Sequence, residues 1–374
     1  MMAAMNTHVS DQIEPKQLTS LIIMTIFPTL ILMSPSLLLR VNQKDAIWVL
    51  VLAILSGVLI ARISVAIYHK FHAQRQTQTF FLAFGRWIGG VFCLLYLLVV
   101  LAMLVIVFRE FAELSSWAFA YGDVPAEVFL VMGGILAFVM SVSGIEAIAR
   151  ICQLLLPVSI LFILIILIAA APWMNWRFLW PPIPKIEQKL FFMAAHPAAF
   201  FSEGFLMAMY FPQVRATLSQ MSRAMVSGMV WTGSICIIVM IGLIAFFGGE
   251  LGGNFTMPLL HLSKGIRFGT FISHLQVLMV PFLVSAISIK MAIVLHAISL
   301  GCQDFFKLQG YRLVAFILTM LSIIAASLVF DNPLDLIYYL TNYGTFVLFP
   351  TFVALNLLPC FFMAIFRRSG NRRA

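Results

Sequence analysis

Long apolar runs, separated only by short polar stretches, leave this chain few ways to fold. About 20 apolar residues are needed to cross a bilayer as a helix, the form that pairs its own backbone amides. By that measure ten segments are expected, at roughly 18–39, 46–67, 87–108, 128–142, 151–172, 190–211, 224–247, 275–295, 311–330 and 339–366. The fourth is short and the tenth long. Of 374 residues, 62% are hydrophobic and 10% are charged, too little charge to clothe a soluble surface of this size. The chain therefore reads as a single all-α integral membrane domain over residues 1–374. A short polar tail (1–17) precedes it, and a basic tail (367–374) closes it. No small-residue cleavage pattern follows Leu18–Leu39, so no removable leader is expected.

The net charge of +9 is explained by topology rather than by a nucleic-acid partner. An even number of spans puts both termini on one side. Of the 23 Lys and Arg, fourteen then fall on the termini's side, including Lys70, Arg75, Arg215, Arg223 and the Arg367–Arg373 cluster. Eight fall opposite, including Arg40 and Arg109, and Lys290 lies within a span. That bias predicts cytoplasmic termini. Acids gather on the other side, with Glu110, Glu113, Asp123 and Glu127 assigned to a loop after the third span. The longest loops of that side, near 109–127, 173–189 and 248–274, are placed to cover an entry path. The five cysteines lack metal-type spacing and read as small buried hydrophobes.

Two charges lie at bilayer depth. Glu203 is near the middle of Leu190–Phe211, and Lys290 is inside Leu275–Leu295. An intramembrane charge is costly and usually has a partner or a task. Counted at 1.5 Å per residue, their depths differ by only a few ångströms, within a lysine's reach. Two readings of each stay open: Lys290 snorkels to the headgroups five residues away or faces a pocket, and Glu203 faces a pocket or stays buried as a neutral acid.

Prolines interrupt several spans. Pro28 lies midway along the first, and Pro197 lies in the sixth ahead of Ser202-Glu203-Gly204. Interruptions at corresponding places in two halves point to an inverted-repeat transporter, here five spans plus five. Simple proline kinks are the plainer alternative. Unwound backbone at the midplane would offer free N–H and C=O groups to a small zwitterion. Neither a Ser-His-Asp set, a phosphate loop nor a metal-ligand cluster is present in the sequence, so neither an enzyme nor a cofactor is expected.

Several stretches together resemble one family. Gly144-Ile145-Glu146-Ala147-Ile148-Ala149-Arg150 resembles its glycine lead into a fifth-span arginine. Phe178-Leu179-Trp180-Pro181-Pro182 resembles its Leu-x-Pro stretch, and Gly204 through Pro212 its sixth-span Gly-to-Pro run. Gln17 and Asp45 match common positions. The chain thus resembles the B-subunit, or spore-permease, family of endospore germination receptors, in the amino acid–polyamine–organocation superfamily. The resemblance implies ten transmembrane helices in a LeuT-like five-plus-five inverted repeat with broken helices 1 and 6. It also implies a germinant, often an amino acid, and A and C partner subunits in the inner spore membrane. A proton-coupled amino acid or amine permease is the alternative use of the same fold.

The ligand is then expected between spans one, three, six, eight and ten. The candidates are Pro28, Thr29 and Leu30 in the first; Val99 and Met103 in the third; Phe200, Glu203 and Gly204 in the sixth. Ser288 and Lys290 in the eighth and Phe346 in the tenth complete the set. Ser288 has the plainer alternative of returning its hydroxyl to its own helix. The family's Gly-x-Gly falls on Pro28-Thr29-Leu30, its sixth-span acid on Leu206, and its eighth-span Arg/Glu pair on Ser273-His274-Leu275-Gln276. These departures predict a different ligand or a different way of holding it.

Overall fold

The computed structural model describes residues 11–71, 74–119, 124–180, 188–266, 276–330 and 333–370. The family-like Pro181-Pro182, Ser273-His274-Leu275, Asp123, and the end of the basic tail at 371–374 lie outside the described residues.

Twelve α-helices make up the fold among these residues: α1 (Pro15–Asn42), α2 (Ala46–Lys70), α3 (Gln76–Phe119), α4 (Ala126–Val142), α5 (Ile145–Ala170), α6 (Gln188–Phe201), α7 (Leu218–Gly252), α8 (Pro258–Gly265), α9 (Gln276–Phe306), α10 (Arg312–Val329), α11 (Pro333–Tyr339) and α12 (Phe349–Gly370). Nine helical stretches among the described residues are long and apolar enough to cross a membrane; α4, at 17 residues, is shorter. The protein is an all-α, multi-spanning membrane fold.

Local chemistry sets several helix starts. Pro15 occupies the first turn of α1, where its missing N–H costs nothing, and the Glu14 N–H donates to Gln17 Oε1 at 2.8 Å. Gln17, noted in the sequence, thus caps a helix. Thr217 and Gln220 cap α7 reciprocally, at 3.3 and 2.9 Å. Helix α5 starts after Gly144, whose φ of +90° suits glycine.

Helix α1, helix α3 and segment ten differ from expectation. Helix α1 stays α-helical through Pro28 and Pro35; each proline removes one donor, a loss a buried helix tolerates. Segment six instead tightens, passing at Ser202 from α6 into a 3₁₀ stretch, Ser202–Met209. Helix α3 runs 44 residues with a kink at Gly85, so Arg109, Glu110 and Glu113 are buried helix residues and not a loop. Segment ten is also divided, with a π-helix, Leu340–Leu348, between α11 and α12.

Helices α1 and α9 are the most enclosed. Packing is paired across the two halves. Helix α1 packs on α7 and α6 on α2; α3 on α4 and α9 on α10; α4 on α9 and α10 on α3. Helix α5 packs on α9 as α12 packs on α3, and α1 on α5 as α6 on the π-helix.

Both ends of the bundle are tied. At the N-terminal end, the Ile13 N–H donates to Gln213 O at 3.0 Å and the Arg215 N–H to Ile13 O at 2.9 Å. Nearby, Asp304 accepts from Arg75 (3.1 Å) and Thr77 (3.0 Å). At the other end, Trp117 of α3 meets His261 and Lys264 of α8, the ammonium 4.0 Å from the ring centre.

Candidate functional site

Lys290 lies in the middle of α9, because that helix continues eleven residues past Leu295, where the apolar run was expected to end. Its side chain is 1% exposed. Snorkelling is therefore not the arrangement seen; the ammonium is held inside the bundle. It donates to Glu203 Oε1 at 2.8 Å, and Glu203 Oε2 stands at the same distance but off the hydrogen-bond direction. The pairing open to these two charges by depth is present.

Two further residues complete the cluster. Lys290 also donates to Thr29 Oγ1 at 2.7 Å, and Thr29 in turn donates its hydroxyl hydrogen to Glu110 Oε2 at 2.6 Å. Four buried side chains from α1, α3, the 3₁₀ stretch after α6, and α9 thus form one chain: Glu203, Lys290, Thr29, Glu110. Glu110 is fully buried and its Oε1 has no partner among the described residues. Flanking Glu110 on α3, Arg109 pairs with Glu113 at 2.5 Å, both buried. The cluster holds two carboxyls against one ammonium, so one negative charge is left without compensation when both acids are ionised.

The cluster borders a cavity of about 10 Å³, room for roughly one water. Its wall is Met103, Ile106 and Val107 of α3, Phe200 of α6, Leu340 of the π-helix and Phe349 of α12, with Thr29, Glu203 and Lys290. Phe200 lies edge-on to Phe349 and to His196, and His196 Nδ1 is 2.8 Å from Thr345 Oγ1 in the π-helix.

Thr29, Met103, Phe200, Glu203 and Lys290 therefore meet, as a set drawn from four spans. Pro28 and Leu30 are buried beside Thr29 without lining the cavity. Gly204 faces the methyl end of Met229, which a side chain there would displace. Ser288 returns its hydroxyl to Val284 O at 2.7 Å. Val99 is only half-buried, and Phe346 is 46% exposed and stacked on Phe192. In segment ten, Leu340 and Phe349 stand where Phe346 was expected. Glu110 was missed because the apolar run appeared to stop at Phe108. The stripe Tyr96, Val100, Met103, Val107 continues at helical spacing to 110, and that was the available signal.

The family model described as spore germination protein, the spore permeases, matches residues 12–333. No curated protein matches the sequence. Among solved structures, a substrate-bound, outward-open Na⁺-coupled sialic acid symporter is similar at TM-score 0.69 and 12% identity, over 93% of this chain and 80% of that one. MhsT in complex with L-phenylalanine gives 0.68 and 14%, over 91% and 88%. A mutant of the Eremococcus coleocola manganese transporter gives 0.61 and 13%, over 94% and 76%. At such identities the likeness is one of fold, that of LeuT-type transporters.

Proposed function

The chain belongs to the spore germination protein family, and we propose that it acts as a permease, moving a small amino acid or amine together with a proton. The observation that carries this is the buried Glu203–Lys290–Thr29–Glu110 chain with its surplus carboxyl. An uncompensated charge at this depth is expensive. A proton, or the ammonium of a solute, removes it. The site thus has a built-in reason to take up one positive charge and to release it when exposed to water. That the similar folds include a symporter for sialic acid and a complex with L-phenylalanine supports a transport use.

The paired packing described above supports the finer architecture of ten spans in five-plus-five repeat. Exchanging each of the first five spans for its counterpart five later maps one set of helix contacts onto the other. In this reading α4 also crosses, as the fourth span, which brings the nine longer stretches to ten; α1 works unbroken, and the divided elements are segments six and ten. Both termini are then cytoplasmic.

The family's tie to spore germination supports a second reading: a germinant-receptor B subunit in the inner spore membrane. A bound germinant would bias an equilibrium between two helix arrangements and pass that bias to A and C subunits. Proteoliposome uptake separates the two. Uptake of labelled amino acids or amines by this chain alone, driven by an imposed pH gradient, supports the permease. Solute-induced thermal stabilisation without any uptake supports the receptor and contradicts the permease.

A further inference from the structure

A second, larger cavity lies at the α8 end of the bundle. It measures about 260 Å³, near the small end of ligand pockets, and is open on one side. Its wall comes from α1 (Met33, Ser36, Leu37, Arg40) and from α11 and the π-helix (Leu334, Ile337, Tyr338, Thr341, Asn342), with Thr256. On α1, Thr29 of the central cluster and Met33, Ser36, Leu37 and Arg40 of this pocket form one helical stripe. On the facing chain, Leu340 borders the central cavity while Ile337 and Thr341 border this one. The two cavities are thus consecutive along one face of α1, their ends about 16 Å apart at 1.5 Å per residue.

Their chemistry is complementary. The central cluster has a surplus carboxyl. The outer pocket has a guanidinium, and among the described residues no carboxylate pairs with it. Arg40 in the last turn of α1 is favourably placed against the helix dipole, which by itself would make no site. What adds to it is a cavity walled by Met33, Leu37 and Ile337 on one hand and by Ser36, Thr341 and Asn342 on the other. The Asn342 amide N–H already donates to Tyr338 O and the Ser36 hydroxyl to Gly253 O, so the Asn342 oxygen and the Thr341 hydroxyl remain to set orientation.

We propose that this pocket is a first binding site for small zwitterionic solutes with an apolar side chain, whose carboxylate is held by Arg40 while the ammonium end leads toward Glu110 and Glu203. This rests on the reading of the central cluster as a solute site and adds the substrate class and its polarity of entry. A guanidinium meets a carboxylate in a forked pair that Lys reproduces only as a point charge.

The test is calorimetric binding of L-valine, L-leucine and L-phenylalanine, and of their amides, to the full chain in phosphatidylcholine nanodiscs. Arg40→Gln should weaken the acids about tenfold or more and leave the amides within about twofold, with partial recovery in Arg40→Lys. Ile337→Trp, which fills the pocket without touching a charge, should weaken the acids as well. In a Glu110→Gln, Glu203→Gln background the acids should still bind in an Arg40-dependent way. Acids that bind equally well to Arg40→Gln overturn the proposal, as does equal loss of acids and amides. So does failure of the wild type to bind any of the three acids. Arg40-dependent retention of a phospholipid in native mass spectrometry, with no acid bound, assigns the pocket to a lipid headgroup and also overturns it. Uptake that persists in Arg40→Gln with unchanged concentration dependence sinks this inference and leaves the permease reading standing.

Discussion

Lys290 is bonded directly to Glu203 and Thr29 and reaches Glu110 through the threonine. Removing the ammonium strands two buried carboxyls, whereas removing charge from both ends of the pair leaves one, the surplus that the cluster already carries. Lys290→Met is therefore expected to destabilise by about 3–5 kcal/mol, as for other broken buried pairs. The Glu203→Gln, Lys290→Met double variant should recover most of that, read as a double-mutant cycle from denaturation in micelles. Additive losses would mean that the two side chains do not act as a pair. Outside the membrane, Asp11 lies against Gly144 at the start of α5. Burial first, and the charge of Glu146 second, raise its carboxyl above the ordinary range, partly offset by the Ile145 N–H. A raised folded pKa stabilises fully at pH below the unfolded value and loses that contribution as pH rises through the folded one. The N-terminal segment is thus expected to dock more firmly at acidic pH, and Asp11→Asn to flatten that dependence. Hydrogen exchange at the Ile13 and Arg215 amides, corrected for intrinsic rates, reads it; an unchanged slope in Asp11→Asn would assign the dependence elsewhere.

Among the elements, the π-helix Leu340–Leu348 has the most specific support. Thr345 donates its hydroxyl back to Leu340 O at 3.0 Å, closing the i to i+5 turn, and also meets His196 Nδ1. Such π segments are rare and recur at functional sites. Thr345→Ala should cost about 1 kcal/mol for each lost hydrogen bond and speed hydrogen exchange across 340–348; unchanged exchange would show that the π turns hold without it. The element-level reading of the sequence was sound where apolar runs were long and failed at charges. Glu203 and Lys290 stood out because each interrupts such a run. Glu110 did not, because Arg109, Glu110 and Glu113 together look like the end of a helix, yet burial and mutual pairing let α3 carry them to Phe119. Lys290 looked close to a membrane face for the same reason: His296 through Phe306 are polar enough to resemble a loop and are in fact buried helix in large part. Proline positions pointed to helix breaks, but Pro28 is absorbed within α1, while the π turns at Leu340 carry no proline and left no comparable mark.

At the scale of the molecule, two cavities and two tied ends describe a path. The N-terminal end is closed by the Ile13 strap and by Arg75–Asp304, the centre is nearly filled, and the α8 end keeps an open pocket. For a permease this is an arrangement closed toward the termini, with a solute entering from the opposite side. In the proposed permease, the surplus carboxyl of the central cluster would couple that solute to a proton. The most direct measurement is proton movement itself. Proteoliposomes holding a pH-sensitive dye receive an inward gradient of an amino acid or amine that the chain takes up, with no pH gradient imposed. The lumen should acidify as solute enters, and Glu110→Gln should abolish the acidification. Solute entry with no change in pH, or acidification that persists unchanged in Glu110→Gln, would contradict the account.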